Sequence, residues 1–422
     1  MNKPISINQP SCADAFDLNA LSVPDAMQRI NALIDVLHET ETLPIREALQ
    51  RTLAEDVCST INVPSHTNSA VDGYAITSKD LSDSQDVQLT VAGSAFAGKP
   101  YPENIISGQC VRIMTGAKMP EGTDTVVMQE HVLLDGNTIR FNPGYKKGQN
   151  VRHEGEDLKI GQIAIAAGKK LTPAELGMLA SMGIARIKVY RKLRVAFFST
   201  GDELRSVGEA LAEGEIYDSN RYTLHGMLTR LHADIIDMGV IPDEPNEMRD
   251  AFLQAATNAD VVITTGGVSV GEADFVKEVI NEAGNVDFWK LAIKPGRPLA
   301  FGKIKNAIFF GLPGNPVAVM VTFYQFVQPT LRRMMGQSDV APIRFKVPCV
   351  SSLRKKRGRV EYYRGILTYD NEGQLTVSKA GMQGSGILSS MSKANCFIVL
   401  PSDSGSVEPG QSVDVEPFEG LM

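Results

Sequence analysis

The spacing of apolar residues changes character along the chain, and each change marks a different architecture. After a polar lead-in, Met27, Ile30, Ile34 and Leu37 recur at helical spacing. Just ahead, Ser22-Val23-Pro24-Asp25 reads as a helix start, with Ser22 as N-cap and Asp25 as its reciprocal partner. Residues 47–53 fit a further helical turn or two. From about Val57 to Gly148 the apolar segments become short and β-forming (VQLTVAGS, CVRIM, DTVVMQE, NTIRF), separated by Gly, Pro, Asn and Asp. Thr172-Pro173-Ala174-Glu175 is a second capping box, opening a helix that stops at Gly183.

From Leu193 strands and helices alternate. LRVAFFST, ADIIDMGV, DVVITT, VDFWKLA, PLAFGKI and NAIFFGL read as strands. Helices are expected over 221–231, 246–256 and 273–283, with a long one over 316–335. This rhythm predicts an α/β domain with a mostly parallel sheet. Beyond Gly336 the chain is strand-like and glycine-rich to its end. The expected fold is therefore a multidomain α/β protein in four parts. Residues 14–56 and 158–190 form a split helical domain. Residues 57–157 form an inserted β domain, 191–337 the central α/β domain, and 338–422 a C-terminal β domain.

Composition narrows the function. A chain of 422 residues exceeds one typical core. A net charge of −7 gives no broad basic field, which disfavours nucleic acid as a partner. The five cysteines are scattered without CxxC spacing, as expected of reduced thiols in a cytoplasmic protein. The six histidines are as dispersed, so no zinc site is expected. The first twenty residues lack the apolar core of a signal peptide, and no apolar run has the length of a membrane span.

Candidate chemistry lies where expected strands run into helices, the edge at which open parallel sheets bind ligands. Three turns stand out: Ser199-Thr200-Gly201-Asp202-Glu203, the run TTGGVSVGEAD over 264–274, and Gly311-Leu312-Pro313-Gly314-Asn315-Pro316. Glycine lets backbone N–H groups turn inward together, an arrangement suited to phosphate. Any one turn alone reads better as a tight bend; three at one edge favour a cleft. None is a Walker A loop or a Rossmann fingerprint, which disfavours an ordinary ATPase or nicotinamide dehydrogenase. The segment KPGRP, with Lys290 ahead of it and Lys294 and Arg297 within, offers a stiff cationic turn for an oxyanion. Asp202, Glu203, Asp243 and Asp274 lie beside the glycine turns, where carboxylates near phosphate call for a cation such as Mg²⁺. Asp274 fits a helix N-cap equally well. In the inserted domain, Asp72-Gly73 also fits a hairpin turn, and Arg152 with Asp157 also fits an ion pair; the residues alone do not decide.

Taken in order, VDGYA, MTGA-x-MP-x-GTDTVV, VR-x-x-GED, STGDEL, IYDSN, TTGGVSVGEADF, KPGRPLAFG and GLPGNPV resemble the molybdopterin molybdenumtransferase family, the MoeA-type enzymes related to the C-terminal domain of gephyrin. The resemblance runs from about residue 20 to the C-terminus. It implies insertion of molybdate into adenylyl-molybdopterin with Mg²⁺ and release of AMP. It also implies a homodimer with its site at the subunit interface, and a molybdopterin adenylyltransferase as a partner. Carried over residue by residue, Asp72, Thr115, Arg152 and Asp157 match positions lining the site from the partner subunit. Glu203, Asp243 and Asp274 match acidic, metal-holding positions. Lys290, Lys294 and Arg297 match the basic segment. Gly266, Gly267 and Ser269 belong to the phosphate-holding turn; Pro313, Gly314 and Pro316 belong to the PGNP loop. Arg364 and Ser385 match C-terminal positions that help hold molybdate. Two rivals remain on sequence: the adenylyltransferase that makes the preceding intermediate, whose loop reads TGGTG where this chain has Val268, and a non-catalytic scaffold.

Overall fold

The computed structural model describes residues 20–266, 284–338 and 340–418. These form two compact units, one built from residues 42–49 and 53–189, the other from residues 20–41, 50–52 and 190 onward.

At the heart of the larger unit is a six-stranded sheet in the order Asp234–Ile241, Arg194–Thr200, Val261–Thr265, Ala307–Leu312, Pro298–Ile304 and Gly284–Lys290. The first four pair in parallel, and Pro298–Ile304 runs antiparallel to both its neighbours. Strand alternation sends Val195 and Phe197 to one face and Ala196 and Phe198 to the other, and all four are fully buried. Helix Ser219–Arg230 and the segment from Pro316 to Met334 cover the first face, and helix Pro245–Asn258 the second.

Two expectations change here. Helix Val23–Leu33 forms with its Ser22 cap, Asp25 N–H donating to Ser22 Oγ at 3.2 Å, but it stops four residues before Leu37. Its stripe of Ala26 and Ile30 is fully buried in the α/β core, so it shares that unit instead of the split helical part. Residues from 45 to 57 do pack with 158–189, through Ala48, Leu53, Leu158, Leu179 and Val189. The expected long helix over 316–335 is interrupted by a π-helical turn, Phe323–Val327. Pro329 supplies the reason, since it has no N–H for the carbonyl of Gln325. The turn presents buried Gln325, whose Nε2 donates to Glu416 at 2.7 Å while Arg344 donates back to Gln325 at 3.1 Å.

Beyond the sheet, Val360–Tyr369, Cys396–Leu400, Ser412–Pro417 and Phe345–Pro348 pair antiparallel in succession. The short strand Ile293–Lys294 adds in parallel to Val360–Tyr369. Tyr362 and Phe397 reach into the α/β core, so the C-terminal strands are fused to it by shared apolar contact.

The other unit carries a six-stranded sheet ordered Thr125–Met128, Gly73–Ile76, Gln109–Ile113, Val87–Ala95, Thr138–Phe141 and Val132–Asp135. Its helix Pro173–Ser181 starts as its sequence predicts, with the Glu175 carboxylate accepting from Thr172 N–H at 2.8 Å. No helix among the described residues is long and apolar enough to cross a membrane.

Phe252 is buried between Phe198 and Phe309, with ring centroids 5.2 and 5.5 Å away. Phe252→Ala is expected to cost about 3–5 kcal/mol. The chain's one tryptophan, Trp289, lies in the same sheet and reports unfolding of this unit by fluorescence in urea. A midpoint within experimental error of the parent would refute the packing role.

Candidate functional site

The carboxyl ends of the parallel strands converge on one edge. Arg194–Thr200 ends in Gly201-Asp202-Glu203, Val261–Thr265 in Gly266, and Ala307–Leu312 in Pro313-Gly314-Asn315. The turns are pressed together. Gly266 has φ +88°, and a Cβ there would lie 2.4 Å from the Thr200 carbonyl oxygen, so only glycine fits. Its N–H donates to Leu312 O at 3.3 Å, and the Ser199 and Thr265 hydroxyls share a buried hydrogen bond of 2.9 Å beneath it.

Helix Ser219–Arg230 begins at the same edge. Asp218 caps it, Oδ1 accepting from Arg221 N–H at 3.1 Å. Asn220 Nδ2 donates to Gly314 O at 2.7 Å, tying this helix to the PGNP loop. Yet Asp218 Oδ2, Asn220 Oδ1 and Thr200 Oγ1 are buried without a hydrogen-bond partner among the described residues. Each such atom costs about 1–3 kcal/mol unless a ligand or water meets it. Glu203 is exposed beside them, and Asp243 N–H reaches Asp202 Oδ1 at 3.4 Å.

The cationic turn is closed by Leu291 N–H donating to Arg297 O at 2.7 Å. Lys290 and Lys294 have exposed side chains and Arg297 is half-buried. Lys294 Nζ lies 3.5 Å from Glu361 Oε2. In the C-terminal strands Arg364 is fully buried, donating from Nε to Ser390 Oγ at 3.0 Å and from its Nη2 to Gly384 O at 3.0 Å. Burial pushes its pKa down to about 10. The structure thus uses Arg364 to brace the 382–384 loop from beneath. The next residue, half-buried Ser385, accepts from Val317 N–H at 3.0 Å and lies against the start of the helix after Pro313 and Pro316.

In the other unit Asp72 and Thr115 meet. The strand register Gly73↔Ile113 carries Asp72 alongside the turn after Ile113. Asp72 Oδ1 then accepts from both the Thr115 hydroxyl and its N–H, at 2.7 Å each. The hydroxyl first, then the N–H, holds the Asp72 carboxyl below the usual carboxylate range. Arg152, in a strand paired with Asn68, and Asp157, whose N–H donates to Val63 O at 3.0 Å, are both exposed; no ion pair joins them.

Gly267, Ser269 and Asp274 lie outside the described residues. Among the described residues no cluster of three or more His, Cys, Asp or Glu could hold a metal. Thr200, Asp218 and Asn220 lie within STGDEL and IYDSN, but the sequence gives none of them a role. The signal available was an Asp-Ser-Asn cap opening a helix after the first strand of the sheet.

Comparison with known proteins follows this geometry. Residues 21–183 match the MoeA N-terminal region (domain I and II), 196–333 a probable molybdopterin binding domain, and 346–418 the MoeA C-terminal region (domain IV). A molybdopterin molybdenumtransferase of Haemophilus influenzae is 50% identical over 91% of this chain and 95% of its own length. One from Nostoc is 36% identical over 90% of this chain and 89% of its own. A crystal structure of the molybdopterin biosynthesis moeA protein from Pyrococcus horikoshii superposes with a TM-score of 0.81 at 30% identity, covering 94% of this chain and all of that one.

Thr115→Val removes one of the two donors to Asp72. The Asp72 titration midpoint, followed by carboxyl carbon NMR, should rise toward the ordinary aspartate value. It should stay partly depressed, because the Thr115 N–H remains. A midpoint unmoved by the substitution would contradict the assigned cause.

Proposed function

The chain belongs to the molybdopterin molybdenumtransferase (MoeA) family, and from that premise we propose that the carboxyl edge of its parallel sheet holds adenylyl-molybdopterin for molybdate insertion with release of AMP. The chain is a transferase of molybdenum cofactor synthesis by this membership. One observation carries the location: buried Thr200, Asp218 and Asn220 keep unmet polar atoms at the mouth of that sheet. A ligand rich in N–H and O–H groups would meet them.

The residue roles follow from chemistry. Gly266, Gly267 and Ser269, with Gly314 between Pro313 and Pro316, would bring backbone close to the phosphates. Lys290, Lys294 and Arg297 would draw the molybdate dianion to the dithiolene sulfurs, where proximity is the main gain. Arg364 and Ser385 would shape that end through the 382–384 loop. The hard oxygens of Glu203, Asp243 and Asp274 would suit Mg²⁺, which binds through one or two carboxylates plus ligand phosphates. When bound, that ion would offset the pyrophosphate charge. An oxygen of water or of molybdate would bond to the adenylate phosphorus as its P–O bond to the molybdopterin phosphate breaks; AMP leaves with that oxygen, after cleavage of its bond to molybdenum where molybdate is the attacker.

We further propose a cytoplasmic homodimer in which Asp72, Thr115, Arg152 and Asp157 serve the site of the partner subunit. An adenylyltransferase making the preceding intermediate is the proposed supplier of substrate. The four-part division of the chain is also proposed, with residues 20–41 assigned to the α/β part. Light scattering on the eluting protein tests the dimer: a monomer mass at micromolar concentration would remove it.

The decisive assay supplies adenylyl-molybdopterin, molybdate and Mg²⁺. AMP should appear in step with molybdenum bound, while ATP added with bare molybdopterin should remain. ATP consumption would favour the adenylyltransferase reading. Lys294→Ala should raise the molybdate concentration for half-maximal rate by about tenfold or more, the cost of one charge-assisted hydrogen bond. An unchanged molybdate dependence would take Lys294 out of the oxyanion site.

A further inference from the structure

Glu361 has no assigned role, yet it is the carboxylate on which the cationic turn rests. Its side chain is 3% exposed. A buried carboxylate is costly unless cations face it. Two do. Lys294 Nζ lies 3.5 Å from Oε2, and Arg359 Nε donates to Oε1 at 3.4 Å. Oε2 makes no hydrogen bond among the described residues, and the Lys294 ammonium is a cation within salt-bridge range of it. The arrangement is built by the backbone: Ile293–Lys294 pairs in parallel with Val360–Tyr369, in the register Lys294↔Glu361. Lys294 itself is half exposed on its long stem, so without a fixed anion its ammonium would sample many positions. Arg359 is mostly covered and stays with the carboxylate.

We propose that Glu361 is a positioning residue, holding the Lys294 ammonium at the place where the oxyanion arrives. This rests on the reading of Lys294 as a molybdate contact. Position and net charge oppose each other here, which gives the idea a definite sign. Glu361→Gln keeps the shape but removes a negative charge near the cations. If bulk attraction governed binding, molybdate would bind more tightly. If placement governs, it binds more weakly.

The test uses the full-length protein and three variants: Glu361→Gln, Lys294→Met and the double substitution. For Glu361→Gln the molybdate KM should rise about tenfold, the scale of coupling between contacting residues, with the effect on KM and not on kcat. The double variant should be no worse than Lys294→Met alone, because the carboxylate acts through that lysine. A crystal structure of the Glu361→Gln protein should show the Lys294 ammonium displaced or spread over several rotamers. A lowered or unchanged KM, or losses that multiply in the double variant, would overturn the proposal. So would a Lys294 ammonium unmoved in the crystal. If Lys294→Met leaves the molybdate KM unchanged while the ammonium moves in Glu361→Gln, the failure lies with the molybdate reading of Lys294 and the positioning contact stands. Circular dichroism melting of each variant separates these outcomes from a folding defect.

Discussion

A parallel sheet covered on both faces leaves only its strand ends open to solvent, and this constraint organises the larger unit. Apolar clusters bury both faces of the strands from Arg194 to Leu312. No ligand can lie on either face without displacing a helix. The two ends then differ in a telling way. At the amino end the polar groups satisfy one another: Asp260, just before Val261–Thr265, takes two hydrogen bonds from Arg191 at 2.7 and 2.8 Å and one from Arg194 N–H at 2.8 Å. Burial opposes the charge on Asp260, but these partners outweigh it and keep its carboxyl below the usual range. At the carboxyl end, buried polar atoms of Thr200, Asp218 and Asn220 have no hydrogen-bond partner among the described residues.

The C-terminal strands complete that edge and are not an appendage. Ile293–Lys294 enters their sheet, Val317 N–H binds Ser385 O, and the Gln325 network reaches Glu416 through the π-helical turn. Burial raises the Glu416 carboxyl above its ordinary value despite Arg344 and Gln325. A buried network of this kind fixes one arrangement more than it adds stability. Its consequence here is that the cationic turn and the PGNP loop are held by the same set of strands.

How far the sequence discloses this depends on the range of each interaction. Local signals are legible. The Ser22 cap, the Thr172–Glu175 box and the alternating strands from 194 onward follow from neighbours a few residues apart. The π-helical turn was not anticipated, although Pro329 was visible, because a proline inside an apolar run does not say how the chain accommodates it. The grouping of Val23–Leu33 with the α/β core was missed because its apolar stripe names no partner. Of the site, the glycine turns were legible from the residues themselves. The contact of Asp72 with Thr115 depends on strand register, and their selection came through family resemblance. Asp218 and Asn220 stand in a motif, but what distinguishes them is burial of an oxygen without a hydrogen-bond partner among the described residues. Glu361 gave no signal at all, since its pairing with Lys294 is made by strands far apart in the chain.

Charge explains why the edge needs both of its halves. The chain is acidic overall, at −7, and its larger unit places Glu203 and Asp218 by the glycine turns. Carboxylates there would repel a pyrophosphate unless a divalent cation entered with it. In the proposed reading the cationic turn would answer a different need, because a small dianion is strongly hydrated and must trade water for fixed donors. Fixed donors outperform mobile ones in that exchange, since no ordering entropy is lost on binding. A lysine leaning on a buried carboxylate gives up some of its free charge and gains a defined place. If the proposed oxyanion must meet two sulfur atoms in one geometry, placement would outweigh raw attraction.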